Sequence, residues 1–163
     1  MKTKILIGLG FVLLVVSSFA QNLNSNKPSR EDRIRQLIDS QTFVFKAQTV
    51  FPLGQSSRQL TSDYDLRVSK DAIVSYLPYF GRAYSITPGS PGGLDFTSKQ
   101  FDYRVKANKK GGWTIFIKPK DSQQARELTL TVFRNGSAML QVSSNDKQNI
   151  GYSGYITEPF ARR

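Results

Sequence analysis

The stretch "LTLTVFRNGSAMLQV", residues 128–142, decides the fold class. Leu128, Leu130 and Val132 alternate with Thr129, Thr131 and Phe133, and Ala138, Leu140 and Val142 alternate with Met139 and Gln141. A period of two puts successive side chains on opposite faces of a strand. Between the two runs stands Asn135-Gly136, the strongest hairpin signal in the chain, and it predicts a type I′ turn with φ > 0 at both central residues. The stretch therefore reads as an antiparallel pair with one dry face and one wet face.

The same period recurs on both sides. Thr42 to Phe51 is rich in β-forming residues. Tyr64, Leu66 and Val68 oppose Asp63, Asp65 and Arg67, and Ser69-Lys70-Asp71 leads tightly into Ala72 to Leu77. Phe101, Tyr103 and Val105 alternate with Asp102, Arg104 and Lys106; Lys109-Lys110-Gly111-Gly112 then turns into Trp113 to Lys118. A last strand is expected over Ile150 to Ile156. About eight to ten strands joined mainly by short loops favour antiparallel neighbours. The predicted class is all-β and mainly antiparallel: a lipocalin-like barrel, or a half-open meander or sandwich. One short helix precedes it. Ser29 is its N-cap with Asp32 three residues on, and Ile34, Leu37 and Ile38 form an apolar stripe that needs the sheet or a barrel mouth to cover it.

The first 20 residues read as a cleaved export signal. Lys2 and Lys4 precede an apolar run from Ile5 to Val16, and Ser18-Phe19-Ala20 sets small residues at the cleavage site. Residues 21–28 read as a flexible leader and 29–163 as a single β-rich domain, periplasmic or secreted, with no membrane span after cleavage. The chain has 23 basic and 12 acidic residues; two of the basic ones lie in the signal, so the mature part keeps a charge of +9. That balance suits acidic partners, but the charges are dispersed, with no basic stripe of the kind that binds nucleic acid.

The sequence contains no histidine and no cysteine. This removes the usual base near neutral pH, thiol nucleophiles, serine–histidine triads, and zinc and blue-copper ligand sets, so no metal, cofactor or catalytic residue is assigned. Asp63 and Asp65, two apart on a strand, have the spacing of paired carboxylates, but it is also the spacing of any wet strand face. Gly92-Gly93 and Gly111-Gly112 lack phosphate-loop spacing.

Aromatic residues crowd the middle of the chain, where "SYLPYFGRAYSITPGSPGGLDF" spans residues 75–96. Pro78 lacks a ladder donor, which predicts an edge or a bulge over Tyr76 to Phe80, and Gly81 permits a bend. Pro88-Gly89 and Pro91-Gly92-Gly93 then form a long surface loop. Tyr79, Phe80, Arg82 and Tyr84 are the candidate ligand-binding residues, since aromatic faces beside an arginine can stack a sugar or a flat amphipathic ligand. Aromatic faces beside Arg104 are compatible with the same stacking.

"YLPYFGRAY" (76–84), "GGLDF" (92–96) and "NGSAMLQVSSNDKQNIGYSGYI" (135–156) resemble an exported bacterial family known as domain of unknown function 4251. The resemblance covers roughly Phe43 to Ile156. It implies export in a Gram-negative envelope and a single β-rich domain, and no activity. Three functions are compatible with these readings: binding a small amphipathic or glycan-like ligand without catalysis; acting as an interaction module that offers an edge strand or basic face to an envelope protein or anionic surface; and, ranked last, a carboxylate-dependent hydrolase using Asp63 and Asp65.

Overall fold

The computed structural model describes residues 28–83 and 93–159. The expected export signal, most of the expected leader, Tyr84 and the expected Pro/Gly loop up to Gly92 lie outside them. Helix α1 (Arg30–Asp39) precedes nine strands: β1 (Phe43–Pro52), β2 (Arg58–Val68), β3 (Ile73–Leu77), β4 (Leu94–Ser98), β5 (Phe101–Ala107), β6 (Trp113–Pro119), β7 (Glu127–Val132), β8 (Ser137–Ser143) and β9 (Ile150–Thr157). They form one antiparallel sheet of order β4-β3-β2-β1-β9-β8-β7-β6-β5, nearly closed into a barrel. Between the barrel and sandwich alternatives, the barrel is the architecture formed.

Pairing of β1 with β9 joins the β1–β4 and β5–β9 meanders into one sheet, from Val44 opposite Thr157 to Pro52 opposite Ile150. Every other pairing joins consecutive strands. The alternation seen in sequence is the burial pattern: Leu128, Leu130 and Val132 point inward with Ala138, Leu140 and Val142. Large side chains fill the interior, including Phe43, Phe45, Leu66, Ile115, Ile117 and Tyr152, all fully buried. Each such Leu or Ile contributes about 1.5–3 kcal/mol relative to exposure.

The helix forms as its sequence directs. Ser29 Oγ accepts from the Asp32 N–H at 3.1 Å, and the Ser29 N–H donates back to Asp32 Oδ2 at 3.1 Å, a complete capping box. The Ser29 hydroxyl, donating to Asp32 Oδ2 at 2.6 Å, and then the Ser29 N–H hold the Asp32 carboxyl below the usual carboxylate range. Ile34 and Ile38 are buried, and the Tyr103 hydroxyl donates to the Ile38 carbonyl at 3.0 Å, tying the helix to β5.

Three local expectations change. The β7–β8 hairpin stands, but not as a type I′ turn. The Gly136 N–H reaches Phe133 O at 2.8 Å and the Phe133 N–H reaches Ser137 O at 2.9 Å. Gly136 has φ of 82° while Asn135 keeps a negative φ, the pattern of a type I turn closed by a glycine bulge. Only Gly136 needs the left-handed region, and a Cβ there would also sit 2.9 Å from Ile34 Cδ1. Second, Pro78 ends β3 rather than bulging it, since pairing stops at Leu77 opposite Leu94. Third, the bulge lies elsewhere: β1 loses register between Ala47 and Thr49 against both neighbours, and residues 60–63 loop out of the β1–β2 ladder.

At this bulge Gly154 passes against β1 so closely that a Cβ would overlap the Lys46 carbonyl oxygen and lie 2.9 Å from its carbon. Both contacts are backbone and have little room to move. Gly154→Ala is expected to destabilise the domain by about 1–3 kcal/mol or more, read as a lower denaturant midpoint; an unchanged midpoint would show that the strands separate without cost.

Candidate functional site

The ends of the sheet meet at one place. Eight antiparallel steps separate β4 from β5, so the two run in the same sense, and only Lys99 and Gln100 lie between them. The chain leaves one edge of the sheet and enters the other at this corner without pairing across it. Asp121, just past β6, holds the corner. Its carboxylate accepts from the Ser98 hydroxyl, from the Lys99 N–H at 2.8 Å and from the Gln100 N–H at 3.2 Å. These bonds, the Ser98 hydroxyl foremost, hold the Asp121 carboxyl below its ordinary value.

The two edges are finished differently. On β4, the Gln124 side-chain amide donates to the Asp95 carbonyl at 2.8 Å. On β5, the bonds between Lys120 N–H and Gln100 O and between Asn108 N–H and Gly112 O fix the alternation of the β5–β6 ladder. The even-numbered residues of β5 turn their backbone groups toward β6. Phe101, Tyr103, Val105 and Ala107 turn theirs to the free side, where no described strand pairs with them. Val105 is on the inward-facing row, opposite Ile115, yet remains 41% exposed, and Ala107 is exposed with it.

A groove of about 580 Å³ opens along this edge, lined by Gln41, Lys70, Lys99, Phe101, Tyr103 and Arg104, with Asp102 among them. Asp102 is the carboxylate of the lining, and Lys120 meets it at 2.7 Å and holds it well ionised. Lys70, Lys99, Arg104 and Lys106 form no ion pair among the described residues. Burial pushes the Tyr103 hydroxyl far above its ordinary titration range, so it stays a neutral donor to α1.

The candidate residues of the aromatic stretch have other partners. The Tyr79 hydroxyl lies 2.8 Å from Arg82 O and 3.0 Å from Gln148 O, and the Lys147 ammonium sits 5.4 Å from its ring centre. Tyr152 donates to Pro78 O at 2.7 Å, and the Gln148 N–H to Arg82 O at 3.0 Å. Phe80 is half-buried under the Arg58 guanidinium, 5.2 Å from the ring centre, and Arg82 is exposed. Tyr79, Phe80 and Arg82 are thus neighbours in a segment pinned to residues 147–148; Tyr84 lies outside the described residues. Asp63 and Asp65 do not act as a pair on a wet face. Asp65 is 4% exposed and bonded to Lys46 at 3.1 Å and Arg67 at 3.3 Å, whereas Asp63 is exposed on the looped-out segment. Lys70, Lys99 and Asp121 were not singled out from sequence, because only the closure of the sheet brings them to the seam.

A family model described as "Domain of unknown function (DUF4251)" matches residues 25–156. The crystal structure of a DUF4251 family protein from Bacteroides eggerthii superposes with a TM-score of 0.58 at 17% identity, covering 79% of this chain and 87% of that one. At that identity the likeness shows the fold. No curated protein matches.

Two measurements check this geometry. Tyr152→Phe leaves the Pro78 carbonyl without its donor and should cost about 1–2 kcal/mol in denaturant unfolding; no loss would mean the segment is held otherwise. For Asp121 the lowered folded-state value gives stability that is complete above the ordinary value of 3.8 and lost as pH falls through the lowered one. Asp121→Asn should therefore lower the melting temperature at pH 7, and its deficit against the wild type should shrink in acid below that value. A deficit constant from neutral to acid pH would contradict the carboxylate's role.

Proposed function

This chain belongs to the DUF4251 family, and we propose that it acts as a non-catalytic interaction module of the cell envelope, using the open seam at β5 to hold an anionic partner. One observation carries this reading: β5 keeps an edge that no described strand pairs, beside a groove whose cations outnumber its single, already neutralised carboxylate. An exposed edge is a template for another chain, and proteins usually cover or blunt it. Cations around such an edge that form no ion pair among the described residues steer an acidic partner and fix where it lands. The absence of histidine and cysteine supports a binding role over catalysis, and the N-terminal signal pattern supports export.

The reading is tested by NMR titration of the domain with polyglutamate. Shifts are expected to cluster on Lys70, Lys99, Arg104 and Lys106, and the double variant Arg104→Glu/Lys106→Glu should bind about tenfold more weakly or worse, a loss of about 1.4 kcal/mol. Shifts spread evenly over the basic surface would overturn it.

A second reading, a small amphipathic or glycan-like ligand beside Phe80 and Arg82, is favoured by the half-exposed Phe80 ring under the Arg58 guanidinium, with exposed Arg82 two residues further along the chain. Native mass spectrometry of protein purified from its own envelope should then show a bound small molecule that Phe80→Ala/Arg82→Ala loses. Retention of the molecule by that variant would exclude the Phe80–Arg82 surface.

A further inference from the structure

We propose that the occupant of the β5 edge is an extended peptide segment alternating acidic and apolar residues, added to the sheet as a further strand. This rests on the reading of the seam as an anion-binding surface and specifies the partner's class. The backbone groups of Phe101, Tyr103, Val105 and Ala107 face the free side at the two-residue spacing that an added strand uses. An incoming strand in that position alternates its own side chains between the two faces of the sheet. On the inner face they meet Val105 and Ala107, which point inward but are exposed, an unfinished piece of core. On the outer face they meet Arg104 and Lys106, which no described carboxylate pairs. Apolar side chains suit the first row and carboxylates the second, so one strand of alternating character satisfies both. The edge of β4 is unsuited to the same role, because Gln124 already donates to Asp95 and Asp121 takes the N–H groups of Lys99 and Gln100.

The probe is a capped peptide with the 7-residue length of β5, alternating Glu and Val, titrated calorimetrically into the whole domain. It is compared with an analogue N-methylated on alternate residues, so that one backbone edge cannot donate, and with an analogue carrying Lys for Glu. The parent should bind, and both analogues should bind at least about tenfold more weakly. Val105→Pro, which removes a donor from the free edge alone, should keep the fold and lose the peptide; if it does not fold, the N-methylated analogue still decides. Equal binding of the parent and N-methylated peptides would overturn strand addition while leaving an anion-binding seam intact. Failure of both the peptide and polyglutamate to bind would overturn the two readings together. Concentration-dependent self-association abolished by Val105→Pro would assign the edge to a second copy and overturn the peptide as occupant.

Discussion

Closing a meander requires its end strands to meet, and here they meet running in the same direction. An even number of antiparallel steps lies between β4 and β5, while the two residues joining them are far too few for a parallel crossover, which takes a dozen or more. The chain can therefore pass from one edge to the other, but it cannot pair with itself there. Backbone groups at the corner lose their ladder partners, and a buried or half-buried group left alone costs as much as a lost hydrogen bond. Asp121 supplies what the ladder cannot, accepting from one hydroxyl and two backbone N–H groups. The corner, the covered edge of β4 and the open edge of β5 all follow from this parity.

The same constraint separates scaffold from working surface. The fully buried residues line the inner face of the sheet, and α1 covers part of it through Ile34 and Ile38. Residues 78–82 after β3 are tied to that scaffold: the Tyr79 hydroxyl lies against the Gln148 carbonyl in the loop before β9, and Tyr152 of β9 donates to the Pro78 carbonyl. What is left unfinished lies along β5. There an inward row ends in exposed Val105 and Ala107 while the outward row carries Arg104 and Lys106, which form no ion pair among the described residues. Proteins that keep an edge strand solitary usually place charge on it, which discourages copies of themselves while admitting a partner of opposite sign.

Much of this fold was legible because it is local. Alternation gave the strands, Ser29 with Asp32 gave the helix start, and Asn135-Gly136 gave the hairpin. The turn type was not legible, since Asn-Gly fits both a type I′ turn and a type I turn with a glycine bulge; the approach of Ile34 to Gly136 is a tertiary contact. Asp65 looked like a wet-face residue because nothing local shows Lys46 and Arg67 closing over it. The position of β5 was invisible for a stronger reason. Its alternation of Phe101, Tyr103 and Val105 with charged residues describes any half-buried strand. Which strand becomes an edge is set by β1 pairing with β9, residues a hundred positions apart, and no local pattern encodes that choice.

The open β5 edge is the central claim, and amide hydrogen exchange of the unliganded domain tests it most directly. Exchange should alternate along one strand: the N–H groups of Asp102, Arg104 and Lys106, bonded to β6, slow, and those of Tyr103, Val105 and Ala107, facing the free side, fast. Uniform protection along β5, with Val105 as slow as Arg104, would mean that the edge is already paired and would contradict the account.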